Sequence, residues 1–183
     1  PPTPYRYPRE KTILFAPWQA VIDNLGRSGS LLLATILPHV GAQYRGDAPA
    51  AYVGWPWSFA VGPMHSCSRK KGMFIVHGHR GHRLMFEPAL ATNRSGTGFS
   101  IRPGYRFIWH PTSWVVGPGL GVGSTLELVG MSEPFRYSVG PEAIAHFGTC
   151  CRSSYVTLTF RYDHYFAGTH RDIVGASLGY TFF

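Results

Sequence analysis

Tyr155-Val156-Thr157-Leu158-Thr159-Phe160-Arg161-Tyr162-Asp163 places apolar side chains at 156, 158, 160 and 162, and polar ones at 157, 159, 161 and 163. After Ala167-Gly168-Thr169-His170-Arg171 the rhythm returns, with Val174, Ala176, Leu178, Tyr180 and Phe182 against Gly175, Ser177, Gly179 and Thr181, up to Phe183. Period two over a strand length marks a β-strand with one apolar face. Two such strands joined by a short polar break read as an antiparallel hairpin.

Working back from this hairpin, the same grammar recurs. Phe99, Ile101, Tyr105, Phe107 and Trp109 oppose Ser100, Arg102, Gly104, Arg106 and His110. Trp114, Val116, Leu120, Val122, Leu126 and Leu128 oppose Gly117, Gly119, Gly121, Gly123, Thr125 and Glu127. Phe135, Tyr137, Val139, Ala143, Ala145 and Phe147 oppose Arg136, Ser138, Gly140, Glu142 and His146. Upstream, Leu84, Phe86 and Leu90 alternate with Met85, Glu87 and Ala89 in a strand that can begin at Phe74. Val53, Trp55, Trp57, Phe59 and Val61 alternate with Tyr52, Gly54, Ser58 and Ala60, and Leu32, Ala34, Ile36 and Val40 with Thr35, His39 and Gln43. The sum is eight strands, an all-β chain closing as an antiparallel up-and-down barrel over residues 31–183.

Residues 1–30 obey a different rule. Trp18, Val21, Ile22 and Leu25 recur at helical spacing between Pro17 and Gly26, which predicts a short amphipathic helix. The proline-containing segment 1–11 before it reads as an extended arm able to reach a protein partner. A competing count turns 12–22 and 72–79 into two further strands and gives ten. Eight plus a helix is preferred, because 72–79 falls short of the roughly 9–11 residues of a membrane strand.

Composition bounds the classes. The chain of 183 residues fits one domain, and 22 glycines, 15 prolines, 15% aromatics and only 14% charged residues suit short strands and turns. The apolar run at 31–37 is far shorter than the roughly 20 residues of a membrane helix. A net charge of +8 points to acidic surroundings. Nucleic acid is set aside, because no basic cluster alternates with exposed aromatics as a strand-binding groove requires. The first residue, Pro1, suggests removal of a leader from a secreted precursor.

The spaced aromatics running to Phe183 resemble the closing strand of bacterial outer-membrane β-barrels. That resemblance implies a transmembrane barrel in a Gram-negative outer membrane, in contact with its lipid and lipopolysaccharide. Alternation cannot tell inside from outside, but a membrane barrel turns its apolar residues to lipid and its polar ones to the lumen. Glycines at 117–123 on the polar face favour that inversion, since they leave room for Arg102 and Arg106 across a narrow interior. A periplasmic C-terminus puts the turns at 45–50, 92–98, 130–134 and 167–171 outside the cell, and those at 62–72, 110–113 and 148–153 in the periplasm. Cys67 then shares a side with Cys150 and Cys151, so a disulfide is open to either, while two idle thiols are an equal alternative.

The lumen set is Glu87, Arg102, Arg106, Glu127, Arg136, Glu142, His146, Arg161 and Asp163. In an eight-stranded barrel side chains fill the interior, so these residues are expected to form a salt-bridge network bracing the wall. His77 and His79 share a strand face and, with His65 nearby, are weak metal candidates; no cofactor is otherwise called for. His164 in Arg161-Tyr162-Asp163-His164-Tyr165-Phe166 gives a partial resemblance to lipid A deacylase barrels, in which a nucleophilic serine follows the histidine by two residues. Here that position is Phe166, which cannot attack an ester. The helix also resembles that of the lipid A palmitoyltransferase barrel. The expectation is a structural or interaction protein, a subunit or scaffold of an envelope assembly, rather than an enzyme. A lipid A-modifying enzyme is the alternative, and a soluble lipocalin-like binder with an apolar interior the third.

Overall fold

A computed structural model describes residues 36–46, 48–71, 74–110, 116–129, 135–148 and 154–182, with the backbone alone described at 60, 62–71, 74–80, 110, 148, 154, 155 and 182. The expected arm and helix at 1–30, and Cys150 and Cys151, lie outside the described residues.

Nine strands follow in order: β1 (His39–Arg45), β2 (Ala48–Gly54), β3 (Trp57–Lys71), β4 (Phe74–Asn93), β5 (Gly96–His110), β6 (Val116–Val129), β7 (Arg136–Gly148), β8 (Ser154–Tyr165) and β9 (Asp172–Phe182). Each pairs antiparallel with its neighbour from β3 round to β9, β9 pairs with β1, and β1 with β2. The pairing of β2 with β4, Ala51 opposite Thr92 through Gly54 opposite Ala89, closes the ring. The wall therefore has eight strands, β1, β2 and β4 to β9, with β3 as an extra.

That extra strand has a local cause. β2 and β3 lie in succession on one edge of β4, since Trp57 pairs with Phe86 just below the β2 contacts. Pro56 has no N–H to give the ladder, and the break is bridged by the Trp55 N–H donating to the Pro88 carbonyl at 2.9 Å. Beyond Val61 the register shifts, and β3 runs on with β4 to Lys71 opposite Phe74. Since β4 meets β5 only from His79 opposite His110 onward, this ribbon reaches past the end of the wall. The ten-strand alternative is corrected here in part: residues 74–79 are the first part of β4, not a separate wall strand, while 12–22 lies outside the described residues. β1 also begins at His39, later than the expected Leu32, because 36–38 precede the strand.

The inward and outward faces are now decided. Leu120, Phe135 and Phe59 are 69%, 65% and 61% exposed, whereas Arg102 and Glu127 are 1% exposed. The barrel is apolar outside and ionic inside, the reverse of what a lipocalin-like binder needs. Glycine serves this arrangement on β6: a Cβ at Gly123 would meet the Arg102 guanidinium, and one at Gly121 the Glu142 side chain. At Gly140 it would meet the Tyr162 carbonyl of β8, a backbone approach that only glycine permits. At the β4–β5 turn, Gly96 takes φ 139°, open to glycine alone, beside an Asn93 Oδ1 that accepts the Ser95 N–H at 2.8 Å.

Candidate functional site: an ionic lumen

Every member of the expected lumen set lies on the inward face, because alternation along β4 to β8 carries each to the same side of the wall. The closed ring then brings together residues far apart in sequence. Near the end bearing the β6–β7 and β8–β9 turns, Glu127 bridges two cations, Arg45 Nη1 at 2.9 Å and Arg136 Nη2 at 2.8 Å. Arg136 also donates to the His170 carbonyl at 3.2 Å and lies 4.5 Å from the centre of the Tyr165 ring.

One layer deeper, Asp163 accepts from Arg102 Nη1 and, on its other oxygen, faces Arg161 Nε at 3.0 Å. The Thr125 and Ser138 hydroxyls stand 3.3 Å from the same carboxylate, and the Gly140 carbonyl accepts from Arg102 Nη2 at 2.9 Å. Arg161 continues to Glu87 at 3.4 Å, and Glu87 accepts the Tyr52 hydroxyl. Arg106 grips Glu142 through Nε and Nη2, the latter at 3.0 Å, and approaches Glu87 at 3.8 Å. Towards the other end, His146 Nδ1 meets the Thr157 hydroxyl at 3.0 Å and His39 Nε2 the Thr181 hydroxyl at 3.2 Å.

Buried charges cost least where they are matched and hydrogen-bonded; among the described residues six inward arginines share four carboxylates, Glu87, Glu127, Glu142 and Asp163, Arg83 donates to Ser58, and Arg102 Nε is buried without a hydrogen-bond partner. The interior is also full. A pocket lined by His39, Gln43, Tyr52, Glu87, Arg106 and Arg161 has about 10 Å³, room for about one water. Among the described residues the lumen is a packed ionic core, as expected of a barrel this narrow.

Several members escaped the sequence reading. Arg45 is in phase with His39 and Gln43, and Arg83, which donates to Ser58 Oγ at 2.9 Å, is in phase with Met85 and Glu87; extending each alternation by one step finds both. Asp172 was missed for a different reason. It stands outside the lumen, on the outer rim, where its Oδ1 meets His164 Nδ1 at 2.8 Å and accepts the Tyr162 hydroxyl at 2.6 Å. Only the β8–β9 register, which pairs His164 with Asp172, brings them together. Phe166 lies edge-on to the His164 ring. His77 and His79 lie on the ribbon of β3 and β4, where Cys67 also falls. Among the described side chains, no group of three histidines, cysteines or carboxylates is arranged to hold a metal.

Compared with known protein families, with curated proteins and with solved structures, the chain gives no match. Its class rests on its own geometry: a closed eight-stranded antiparallel β-barrel with one extra strand.

Proposed function

We propose that this chain is a small outer-membrane β-barrel with a structural or interaction role, serving as a subunit or scaffold in an envelope assembly. The observation that carries this reading is the inverted polarity of the wall. Val40, Leu84, Tyr105, Leu120, Val139, Phe160, Val174 and Leu178 face outward from seven of the eight wall strands while ion pairs fill the centre of the ring. An apolar belt of that extent on a free protein in water is an aggregation liability, whereas lipid satisfies it. A packed lumen speaks for bracing rather than transport. Partners on this reading are outer-membrane lipid, lipopolysaccharide and an envelope protein engaged through the N-terminal arm.

The test is detergent dependence. Folded chain is expected only in detergent or lipid, with heat-modifiable electrophoretic mobility. A folded, heat-modifiable monomer soluble in plain buffer removes the proposal.

One observation favours a second reading, a lipid A-modifying enzyme. His164 and Asp172 pair on the outer rim, the carboxylate on Nδ1 directing Nε2 away from it, which is the orientation of a general base. Because Phe166 supplies no hydroxyl, water is the nucleophile such a site requires. Lipid A mass spectra from cells carrying the wild type or His164→Ala decide it: identical spectra exclude the enzyme, and altered ones displace the scaffold reading.

A further inference from the structure

Three features of the lumen meet at one place. Thr159, on the inward face of β8, is 6% exposed, and its Oγ1 is buried with no hydrogen-bond partner among the described residues. Thr159 lines the pocket of about 10 Å³ together with Gln43, Glu87, Arg106, Arg161 and Ser177. In that same pocket the Glu87 carboxylate stands 3.8 Å from Arg106 Nη2, too far for a hydrogen bond, and 3.4 Å from Arg161 Nη1. Elsewhere the ion pairs close to 3.0 Å or less, as at Glu127 and between Asp163 and Arg161.

We propose that this pocket is a binding site for one structural water, which joins the Thr159 hydroxyl to the pair of Arg106 and Glu87. The size fits, since a cavity of about 10–15 Å³ accepts a single water. The surroundings match as well. A buried water makes about three hydrogen bonds to polar groups that otherwise lack a partner. The guanidiniums of Arg106 and Arg161 donate, the Glu87 carboxylate accepts, and the Thr159 hydroxyl does either. A polar pair held apart beyond about 3.5 Å is the spacing that a bridging water spans.

The sequence explains why the space lies here. Gly41 pairs with Ser177 and Gln43 with Gly175, and direct partners in an antiparallel ladder share a face. On its inward side the β1–β9 ladder therefore sets two glycines and a serine beside Gln43, opposite the long side chains of β4, β5 and β8. Charge decides the occupant. Arg102, Arg106 and Arg161 are balanced by Glu87, Glu142 and Asp163. A neutral ligand that both donates and accepts fits better than a halide, which only accepts and would face the Glu87 carboxylate. Bound there, the water ties β8 to β4 and β5 across the lumen at a position where Thr159 makes no direct bond.

The site is independent of where the barrel resides, so its test is too. Full chain, folded in detergent or in plain buffer if it needs none, is unfolded reversibly by denaturant. Valine has the shape of threonine without the hydroxyl. With water bound, Thr159→Val forfeits a hydrogen bond and is expected to lower the folding equilibrium constant by about 2- to 12-fold at unchanged slope. A dry pocket gives the opposite sign, because removing a buried hydroxyl that has no partner raises that constant by about fivefold or more. Diffraction from wild-type crystals is expected to show one ordered water within about 3.2 Å of Thr159 Oγ1, retained in Thr159→Ser; this readout stands even if Thr159→Val does not fold. Exchange of chloride for bromide or acetate at equal ionic strength is expected to shift wild type and Thr159→Val alike. Thr159→Val as stable as wild type or more so, wild-type crystals without that ordered water, or a halide response that wild type shows and Thr159→Val lacks overturns the site.

Discussion

Asp163→Ala tests whether the lumen is a packed ionic core. The carboxylate is 2% exposed and faces two guanidiniums, Arg102 and Arg161, together with the Thr125 and Ser138 hydroxyls. Removing it leaves Arg102 with the Thr125 hydroxyl at 3.0 Å and the Gly140 carbonyl, and Arg161 with Glu87 at 3.4 Å and the Tyr52 hydroxyl at 3.2 Å. Breaking a buried ion pair on one side costs about 3–5 kcal/mol, because the remaining charge is stranded. Arg161 keeps a second carboxylate, which places the expected loss near the middle of that range, about 4 kcal/mol. Asp163→Asn keeps an acceptor for the hydroxyls and surrenders the charge, so a loss of about 2 kcal/mol is expected. The assay is reversible denaturant unfolding in detergent followed by tryptophan fluorescence, with free-energy differences read from midpoints at unchanged slope. Arg94→Ala, at the exposed β4–β5 turn, is the control, expected within about 0.5 kcal/mol of wild type. A loss for Asp163→Ala below about 1 kcal/mol, at unchanged slope, refutes the reasoning; it means that water screens the charges as on an open surface.

Four further outcomes follow from the same geometry. Gly123→Ala drives a methyl into the Arg102 guanidinium and is expected to destabilise the barrel by about 1–3 kcal/mol in the same assay. Tyr52→Phe removes the hydroxyl that Glu87 accepts, with an expected loss of about 1.5–3 kcal/mol for a hydrogen bond to a charged group. In planar bilayers the folded chain is expected to give no single-channel conductance, since ion pairs fill the lumen; a steady ohmic step disproves the packed lumen. Brominated lipids are expected to quench the outward-facing Trp57 and Trp109, and loss of each tryptophan to reduce that quenching; indifference to the bromines argues against a lipid-facing wall.

The face on which each ionisable residue lies was legible because a strand alternates strictly, so Arg102, Glu127, Glu142 and Asp163 could be grouped from their spacing alone. The glycine-rich face of β6 likewise announced the room that Arg102 and Glu142 occupy. The partners were not legible. Arg45 and Glu127 are 82 residues apart and Arg106 and Glu142 are 36 apart, and no local pattern connects them. His164 and Asp172 were hidden for the same reason. The β2–β3 break was half visible: Pro56 forbids a ladder bond, but that both pieces share one edge of β4 depends on ring closure.

By itself, then, the sequence determined the strands and their two faces, since a period of two is local and each residue carries its own polarity. Period two is silent on which face turns inward; the glycines on the polar face of β6 favoured that face, and closure of the ring decided it. Closing eight strands into a ring leaves a narrow interior, and here arginines and carboxylates pair across it, with Met85, Ile108, Ile144 and Ile173 packed on the same inward face.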